Sequence, residues 1–284
     1  MTNTALPSGM TDREFTDLSR HIYKVCGIKI TTAKKVMLEA RLAKRLKTLG
    51  MKTYKDYCCY LFSPAGCESE LVHMIDVVTT NKTEFFRECA HFTFLTNSAV
   101  PQLIGNSMSG MRRSLMVWSA GCSTGEEPYT LAMVLKHLSG RTSDFDFMVL
   151  ATDISTRVLE SAKAAIYREE SIGQIPDEMK KKYLLRGKAD KSGLVRIAPE
   201  VREKVRFRRL NFMDGDFGMR EPVDIIFCRN VIIYFDRQTQ EVLLNRFCSH
   251  LSPGGYLFLG HSETIHNMSL PLSSVAPTVY RKQS

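Results

Sequence analysis

In the stretch Val117–Tyr129, V-W-S-A-G-C-S-T-G-E-E-P-Y, an apolar run ends in a loop of small residues, Ser119–Gly125, and two adjacent carboxylates, Glu126 and Glu127, open a helical segment. A strand, a tight turn and a helix N-terminus gather backbone N–H groups where a ligand can reach them. The dinucleotide fingerprint requires Gly-x-Gly-x-x-Gly, whereas this loop reads Ala120-Gly121-Cys122-Ser123-Thr124-Gly125. Two carboxylates at its end would repel a pyrophosphate. They suit a cationic ligand with a free amino group, and S-adenosylmethionine, with its ammonium and sulfonium, is such a ligand.

Further polar residues fall at the ends of apolar runs. Asp153 closes Phe147–Thr152, where an acid can accept both ribose hydroxyls of an adenosine. It could equally cap the next helix, but Ser155 can take that place and leave Asp153 free. Asn211-Phe212 and Arg229-Asn230 follow two more apolar runs, and amides at such positions can read an adenine edge or a carboxylate. Tyr234 lies close enough to stack or hydrogen-bond at the same mouth, or to serve as a plain core aromatic. Upstream, Thr79–Arg87 reads as an amphipathic segment in which Thr80 or Asn81 caps a helix and Arg87 is a solvated charge.

The elements that must position these residues divide the chain in two. Asp12–Val25, Lys34–Leu49, Tyr54–Phe62, Cys67–Val78 and Thr83–Thr96 carry helical spacing, broken by Gly27, Gly50 and Pro64-Ala65-Gly66. Leu38, Leu42, Leu46 and Leu49 form one stripe, with Lys34, Arg41, Lys44, Arg45 and Lys47 on an arc facing largely away. That arc is either a solvated face or a docking surface for an acidic partner. These segments set a helical domain over 11–88, followed by a linker over 89–113 whose polar part is Ile104–Arg113.

From 114 to 284 strands and helices alternate, which argues an α/β fold with a mainly parallel sheet covered on both faces. Expected strands are Leu115–Ser119, Phe145–Thr152, Val205–Leu210, Val223–Cys228, Tyr256–Gly260 and Pro277–Lys282. Expected helices are Glu127–Leu138, Ser155–Ala165 and Arg237–Leu251, with Ser252–Gly255 a structural turn. In such sheets ligands sit beyond the carboxyl ends of the strands. About forty residues between Ala165 and Val205 exceed an ordinary connection. Lys182–Arg186 and Leu194–Ala198 flank the loop Gly187–Gly193 there, so a small inserted β-subdomain is expected over about 168–204.

With 284 residues, 44% hydrophobic and 24% charged, the chain has the make-up of a globular protein. No apolar run approaches the ~20 residues that span a bilayer, and Met1–Met10 lacks a signal-peptide pattern. A cytoplasmic location without membrane insertion is expected. The eight cysteines make no C-x-x-C pair and have no histidines at ligand spacing, so they read as reduced thiols and no metal is expected. A formal charge of +9 favours an acidic partner: nucleic acid, an acidic protein surface or an anionic membrane face.

Taken in order, Thr79–Arg87 (T-T-N-K-T-E-F-F-R), Ser123–Tyr129 (S-T-G-E-E-P-Y), Ala151–Ile154 (A-T-D-I) and Phe227–Phe235 (F-C-R-N-V-I-I-Y-F) resemble the CheR family of chemotaxis-receptor glutamate methyltransferases. Gly260-His261-Ser262-Glu263 is also similar, and the likeness runs from about Asp12 to Tyr280. One departure is Gly121-Cys122, where the family pattern has Ala-Ala; both pairs are small. The resemblance implies an S-adenosylmethionine-dependent methyltransferase domain (Rossmann-like) behind an all-α domain. It implies that Asn81, Thr83 and Arg87 cover the methionine end of the cofactor, where Glu127 binds too. Asp153 would hold the ribose, and Asn211, Phe212, Arg229 and Asn230 would surround the adenosine. Arg87 and Tyr234 are the candidates for orienting the acceptor carboxylate.

The implied substrates are glutamates on the acidic helical cytoplasmic domain of chemoreceptors, giving methyl esters and S-adenosylhomocysteine. The β-subdomain resembles the part that, in some members, captures a receptor C-terminal peptide. A glutamate carboxylate is ionised at neutral pH and needs no general base. A nucleic-acid methyltransferase is the rival reading. However, an Asn/Asp-Pro-Pro-Tyr loop is missing after the fourth strand, where Arg229-Asn230-Val231-Ile232 stands, and no RNA-binding module is evident, so no nucleic-acid partner is expected. A non-catalytic, cofactor-gated interaction module is the other alternative.

Overall fold

A computed structural model of the chain describes residues 9–105, 113–141 and 145–283. The N-terminal part is helical: α1 (Asp12–Cys26), α2 (Lys35–Leu49), α3 (Tyr54–Leu61), α4 (Pro64–Ser69) and α5 (Leu71–Val78). Thr11 and Glu14 close a reciprocal capping box at the start of α1. The helix then buries Phe15, Leu18, Ile22 and Cys26 along one face. Leu38, Leu42 and Leu46 of α2 meet them in a core of their own, with Leu49 half-buried at its margin.

The expected helix over Thr83–Thr96 does not form in its first half. Residues 80–89 are irregular, and Phe86 and Glu88 take left-handed φ values of 54° and 57°. Tertiary contacts override the amphipathic spacing. Phe85 is driven into the main core against Tyr167, and the Phe86 N–H is taken by the Thr130 hydroxyl at 3.2 Å. Asn81 caps no helix; its amide donates to the Thr79 hydroxyl. The linker expected over 89–113 is also replaced, in its first part, by packed structure. α6 (Ala90–Phe94), a widened π-helical turn (Leu95–Ala99) and α7 (Val100–Gly105) bury Phe92, Leu95, Ala99, Val100 and Leu103 in the core of the following domain. Residues 106–112 of the polar stretch lie outside the described residues.

Beyond it come β1 (Arg113–Ala120), α8 (Glu126–Ser139), β2 (Phe145–Asp153), α9 (Thr156–Ala164), β3 (Ile166–Arg168), α10 (Asp177–Tyr183), β4 (Leu184–Arg186) and β5 (Leu194–Ile197). Next are α11 (Pro199–Arg202), β6 (Val205–Arg209), β7 (Val223–Cys228), α12 (Arg237–His250), β8 (Leu251–Leu259), β9 (Leu272–Ala276) and β10 (Val279–Lys282). The main sheet runs β6-β2-β1-β7-β8-β10-β9. Its first five strands are parallel, and β10 and β9 add an antiparallel edge. Its apolar strands are sealed by one cluster on each face. Chain order reverses between β1 and β7, which is where an open α/β sheet leaves a crevice.

Two strands have no counterpart in the sequence reading, β9 and the three-residue β3. The insertion is therefore a three-stranded antiparallel sheet, β3-β5-β4, rather than a lone hairpin. The expected turn Ser252–Gly255 lies inside β8 as an irregularity, because Val223 pairs with Leu251 while Ile225 pairs with Tyr256. No described helix is long and apolar enough to cross a membrane.

Candidate active site

A cavity opens at the reversal point, beyond the ends of β1, β2 and β7. The helical domain roofs it with Cys26, Ile28, Lys29, Ile30 and Val78. The roof is held by contacts across the domain seam. The Asn211 amide donates to the Val25 carbonyl at 2.7 Å, the Lys29 N–H donates to the Tyr234 carbonyl at 2.9 Å, and the Thr156 hydroxyl donates to Asp76 at 3.0 Å. Asn81, Thr83, Arg87, Glu127, Asp153, Asn211, Phe212, Arg229, Asn230 and Tyr234 all line this one cavity, and Lys34 joins them at its mouth.

The floor is the small-residue loop. Gly121 adopts φ +89°, its N–H donates to the Thr152 carbonyl at 2.8 Å, and a Cβ there would stand 2.5 Å from Val231 Cγ2. Glycine suits that φ and contact best, and the alanine that the family pattern has here would require the Val231 side chain to shift. Tyr167, from β3 of the inserted sheet, donates its hydroxyl to the Thr124 carbonyl at 2.8 Å and braces the loop from outside.

Asp153 is 9% exposed. One of its oxygens accepts the Ser123 N–H and the other the Ser155 N–H, each at 2.9 Å. Ser155 caps α9, as weighed from the sequence, accepting the Val158 N–H. Burial pushes the Asp153 carboxyl up, and the backbone N–H groups of Ser155, Ser123 and Ile154 pull it back. Each oxygen keeps a lone pair for a ligand hydroxyl. Glu127 is equally buried and accepts the Ser119 hydroxyl and Arg229 Nε, both at 2.7 Å.

The guanidinium of Arg229 is committed inside the protein rather than turned to an adenosine. Besides Glu127 it donates Nη1 to the Arg87 carbonyl at 2.6 Å and to Glu88 at 3.4 Å, above the rings of Phe92 and Phe227. The Asn211 amide is likewise spent on Val25 and, through its oxygen, on the Met213 N–H. Phe212 packs edge-on against Trp118 and Phe247, so what it offers the cavity is apolar wall. Asn230 is left-handed at φ +59°. Glu263 makes that possible by accepting the N–H groups of Gly260 at 2.6 Å, Asn230 at 2.9 Å and Val231 at 2.8 Å. The sequence alone points to no role for Glu263 or Ser119. The run Gly260–Glu263 was the available signal, but its partners lie about thirty residues upstream.

The basic arc does not survive as one surface. Arg45 forms a two-pronged ion pair with Glu70, Nε and Nη2 donating over 2.6–2.9 Å, and the Glu70 side chain is only 1% exposed. Arg41 donates to the Thr79 carbonyl at 3.2 Å and the Thr80 hydroxyl at 3.1 Å, tying α2 to the strap that carries Asn81. Lys34 sits in a 3-10 turn with its ammonium 5.8 Å from the centre of the Tyr234 ring. Lys44 and Lys47 are exposed. Glu70 and Thr79 come against α2 only in the folded domain, so helical spacing alone leaves Arg41 and Arg45 on an open face.

Two buried carboxylates, an apolar wall and a glycine loop at the switch point of a parallel sheet fit the ammonium, ribose and adenine of S-adenosylmethionine. Fold and site define an S-adenosylmethionine-dependent methyltransferase. Comparison with known proteins narrows the class. Residues 81–280 match the model described as "CheR methyltransferase, SAM binding domain", and residues 13–79 match "CheR methyltransferase, all-alpha domain". The chain therefore belongs to the CheR methyltransferase family. It is similar to the chemotaxis protein methyltransferase of Borreliella burgdorferi, 40% identical over 96% of this chain and 95% of that one. It is also similar to the Escherichia coli protein of that name (39% identical; 95% and 91% covered) and to chemotaxis protein methyltransferase 2 of Pseudomonas aeruginosa (37%; 95% and 93%).

Proposed function

We propose that the protein transfers a methyl group to glutamate carboxylates of chemoreceptors in the cytoplasm, forming methyl esters that adjust receptor signalling. The observation that carries this reading is the pairing of seats in one cavity: Glu127 and Asp153 for a cationic adenosyl ligand, with Arg87, Lys34 and Tyr234 for an anion beside it. When bound, S-adenosylmethionine supplies the methyl group from its sulfonium. The chain's own task is then alignment and exclusion of water.

Glu127 takes the ammonium and Asp153 the ribose hydroxyls. Asn81 and Thr83, on the strap beside the roof, cover the methionine end. Arg87 and Tyr234 orient the acceptor carboxylate, which is an anion at neutral pH and needs no base. Burial pushes the Cys26 thiol in the cavity up to about 11, so it stays protonated and out of the chemistry. Lys44 and Lys47 offer the acidic helical bundle of a receptor a place to dock. Among the described residues β4 ends the inserted sheet and pairs with β5 alone, so its other side could take an added strand, such as a receptor C-terminal peptide.

The test is the bond formed. The protein is incubated with methyl-labelled cofactor and a chemoreceptor cytoplasmic fragment, or with RNA or DNA, and the pH is then raised. Methyl esters release volatile methanol in mild alkali, whereas methyl groups on nitrogen stay attached. Alkali-volatile label from the receptor sample alone is the expected result. Alkali-stable label, or label in nucleic acid, overturns the reading.

A further inference from the structure

Glu127 and Arg229 alone make a neutral pair. Such a pair attracts an incoming ammonium less than a lone carboxylate would, because the guanidinium bonded to the carboxylate at 2.7 Å offsets part of its pull. Glu88 changes the balance. Its side chain is 10% exposed, lies outside the cavity lining, and approaches Arg229 Nη1 at 3.4 Å. Its other oxygen accepts the His261 N–H at 3.2 Å. His91 stands against the same two groups, its Nδ1 3.3 Å from Arg229 and 3.4 Å from Glu88. Burial, and next the Arg229 charge, push the His91 ring down to about 4, so it adds no charge at neutral pH.

Glu88, His91 and His261 bring three ligand atoms within 4.8 Å of one another, as a metal site would. The cation already among them is the guanidinium. Arg229 thus spans two carboxylates, Glu127 on the cavity side and Glu88 behind, and the set carries one net negative charge.

We propose that Glu88 is a positioning residue for cofactor binding. By balancing Arg229 from behind, it leaves the charge of Glu127 free to hold the cofactor's ammonium. The same contact keeps Arg229 Nη1 on the Arg87 carbonyl, so one bond fixes both the ammonium seat and the strap carrying the carboxylate-orienting arginine. The inference rests on the reading that the cofactor's ammonium sits at Glu127.

Two ligands test it by calorimetry on the full chain: S-adenosylhomocysteine, which has the ammonium, and 5′-methylthioadenosine, which lacks the amino-acid part. Glu88→Gln keeps the acceptor for His261 but removes the charge. S-adenosylhomocysteine should then bind roughly tenfold more weakly, the order expected for one charge acting through a partly buried site, with methylthioadenosine unchanged. Glu88→Asp, which keeps the charge, should lose less than Glu88→Gln. Equal loss for both ligands in either variant makes Glu88 merely structural and overturns the proposal, as does no loss for either. Should Glu88→Gln not fold, the ligand difference in Glu88→Asp decides alone: selective weakening of S-adenosylhomocysteine supports the proposal, and anything else overturns it. Failure of the parent protein to bind S-adenosylhomocysteine is a separate outcome, which removes the cofactor reading itself.

Discussion

Replacing Arg45 with alanine strands a carboxylate. The Glu70 side chain is 1% exposed and receives three guanidinium contacts of 2.6–2.9 Å plus the Tyr57 hydroxyl at 3.0 Å. Without Arg45 only the hydroxyl remains. Removing one partner of a buried pair costs about 3 to 5 kcal/mol, whereas a surface lysine changed to alanine stays within about 0.5 kcal/mol. Since a domain is held by only about 5 to 15 kcal/mol, Arg45→Ala should leave the helical domain near its threshold and Arg45→Glu should unfold it. Urea denaturation followed by far-ultraviolet ellipticity measures the difference, with Lys44→Ala as the surface control. The double change Arg45→Met, Glu70→Met should recover most of the loss, because apolar replacement of both partners removes the stranded charge. A loss for Arg45→Ala no larger than that of Lys44→Ala would refute the buried-pair argument and return Arg45 to the docking surface.

Gly121→Ala, strained by about 1 to 2 kcal/mol in the left-handed region and pressed on Val231 Cγ2, should lower the urea midpoint, and adding Val231→Ala to clear that contact should recover part of the loss; a parent-like midpoint for Gly121→Ala alone would contradict the geometry. Asp153→Ala should weaken S-adenosylhomocysteine binding by a few kcal/mol at most, since about two charge-assisted hydrogen bonds are lost, and unchanged affinity would remove Asp153 from the site. His91 binds its proton near 6.5 when unfolded but only near 4 when folded, so the unfolded chain holds more protons between those values. Stability should therefore fall as pH falls through that window, by at most about 3 kcal/mol, and His91→Gln should flatten the curve of urea midpoint against pH. Lys44→Glu with Lys47→Glu should lower receptor methylation and its sensitivity to salt while S-adenosylhomocysteine affinity holds; unchanged turnover would make them a solvated face.

What could be read from the sequence follows how local each feature is. The strand-loop-helix around Gly121 and the strand-end positions of Asp153, Asn211 and Asn230 were legible, because period and punctuation are set by neighbours in the chain. The inserted sheet showed only as a hairpin, since a three-residue strand such as β3 carries too little pattern. The strap at 80–89 has the amphipathic spacing of a helix, but its backbone bonds are made to Thr130 and Arg229. Charge roles were the least legible. Arg45 meets Glu70 across 25 residues, and Arg229 meets Glu88 across 141, so no local window links them. One-sided basic spacing on a helix therefore overstates how much of it faces solvent.

The roof over the cavity makes the two domains poor candidates for exchange. Cys26, Ile28 and Ile30 belong by chain position to the helical domain, yet they are walls of the cofactor site, and Lys29 and Val25 lend their backbone to Tyr234 and Asn211. A chimera that borrowed the helical domain of a relative would import a foreign ceiling. For such a graft to work, the junction must follow the seam instead of the boundary between domains. The donor should supply the outer faces of α2 and α3, while residues 25–30 and the strap at 78–87 stay with the sheet they cover.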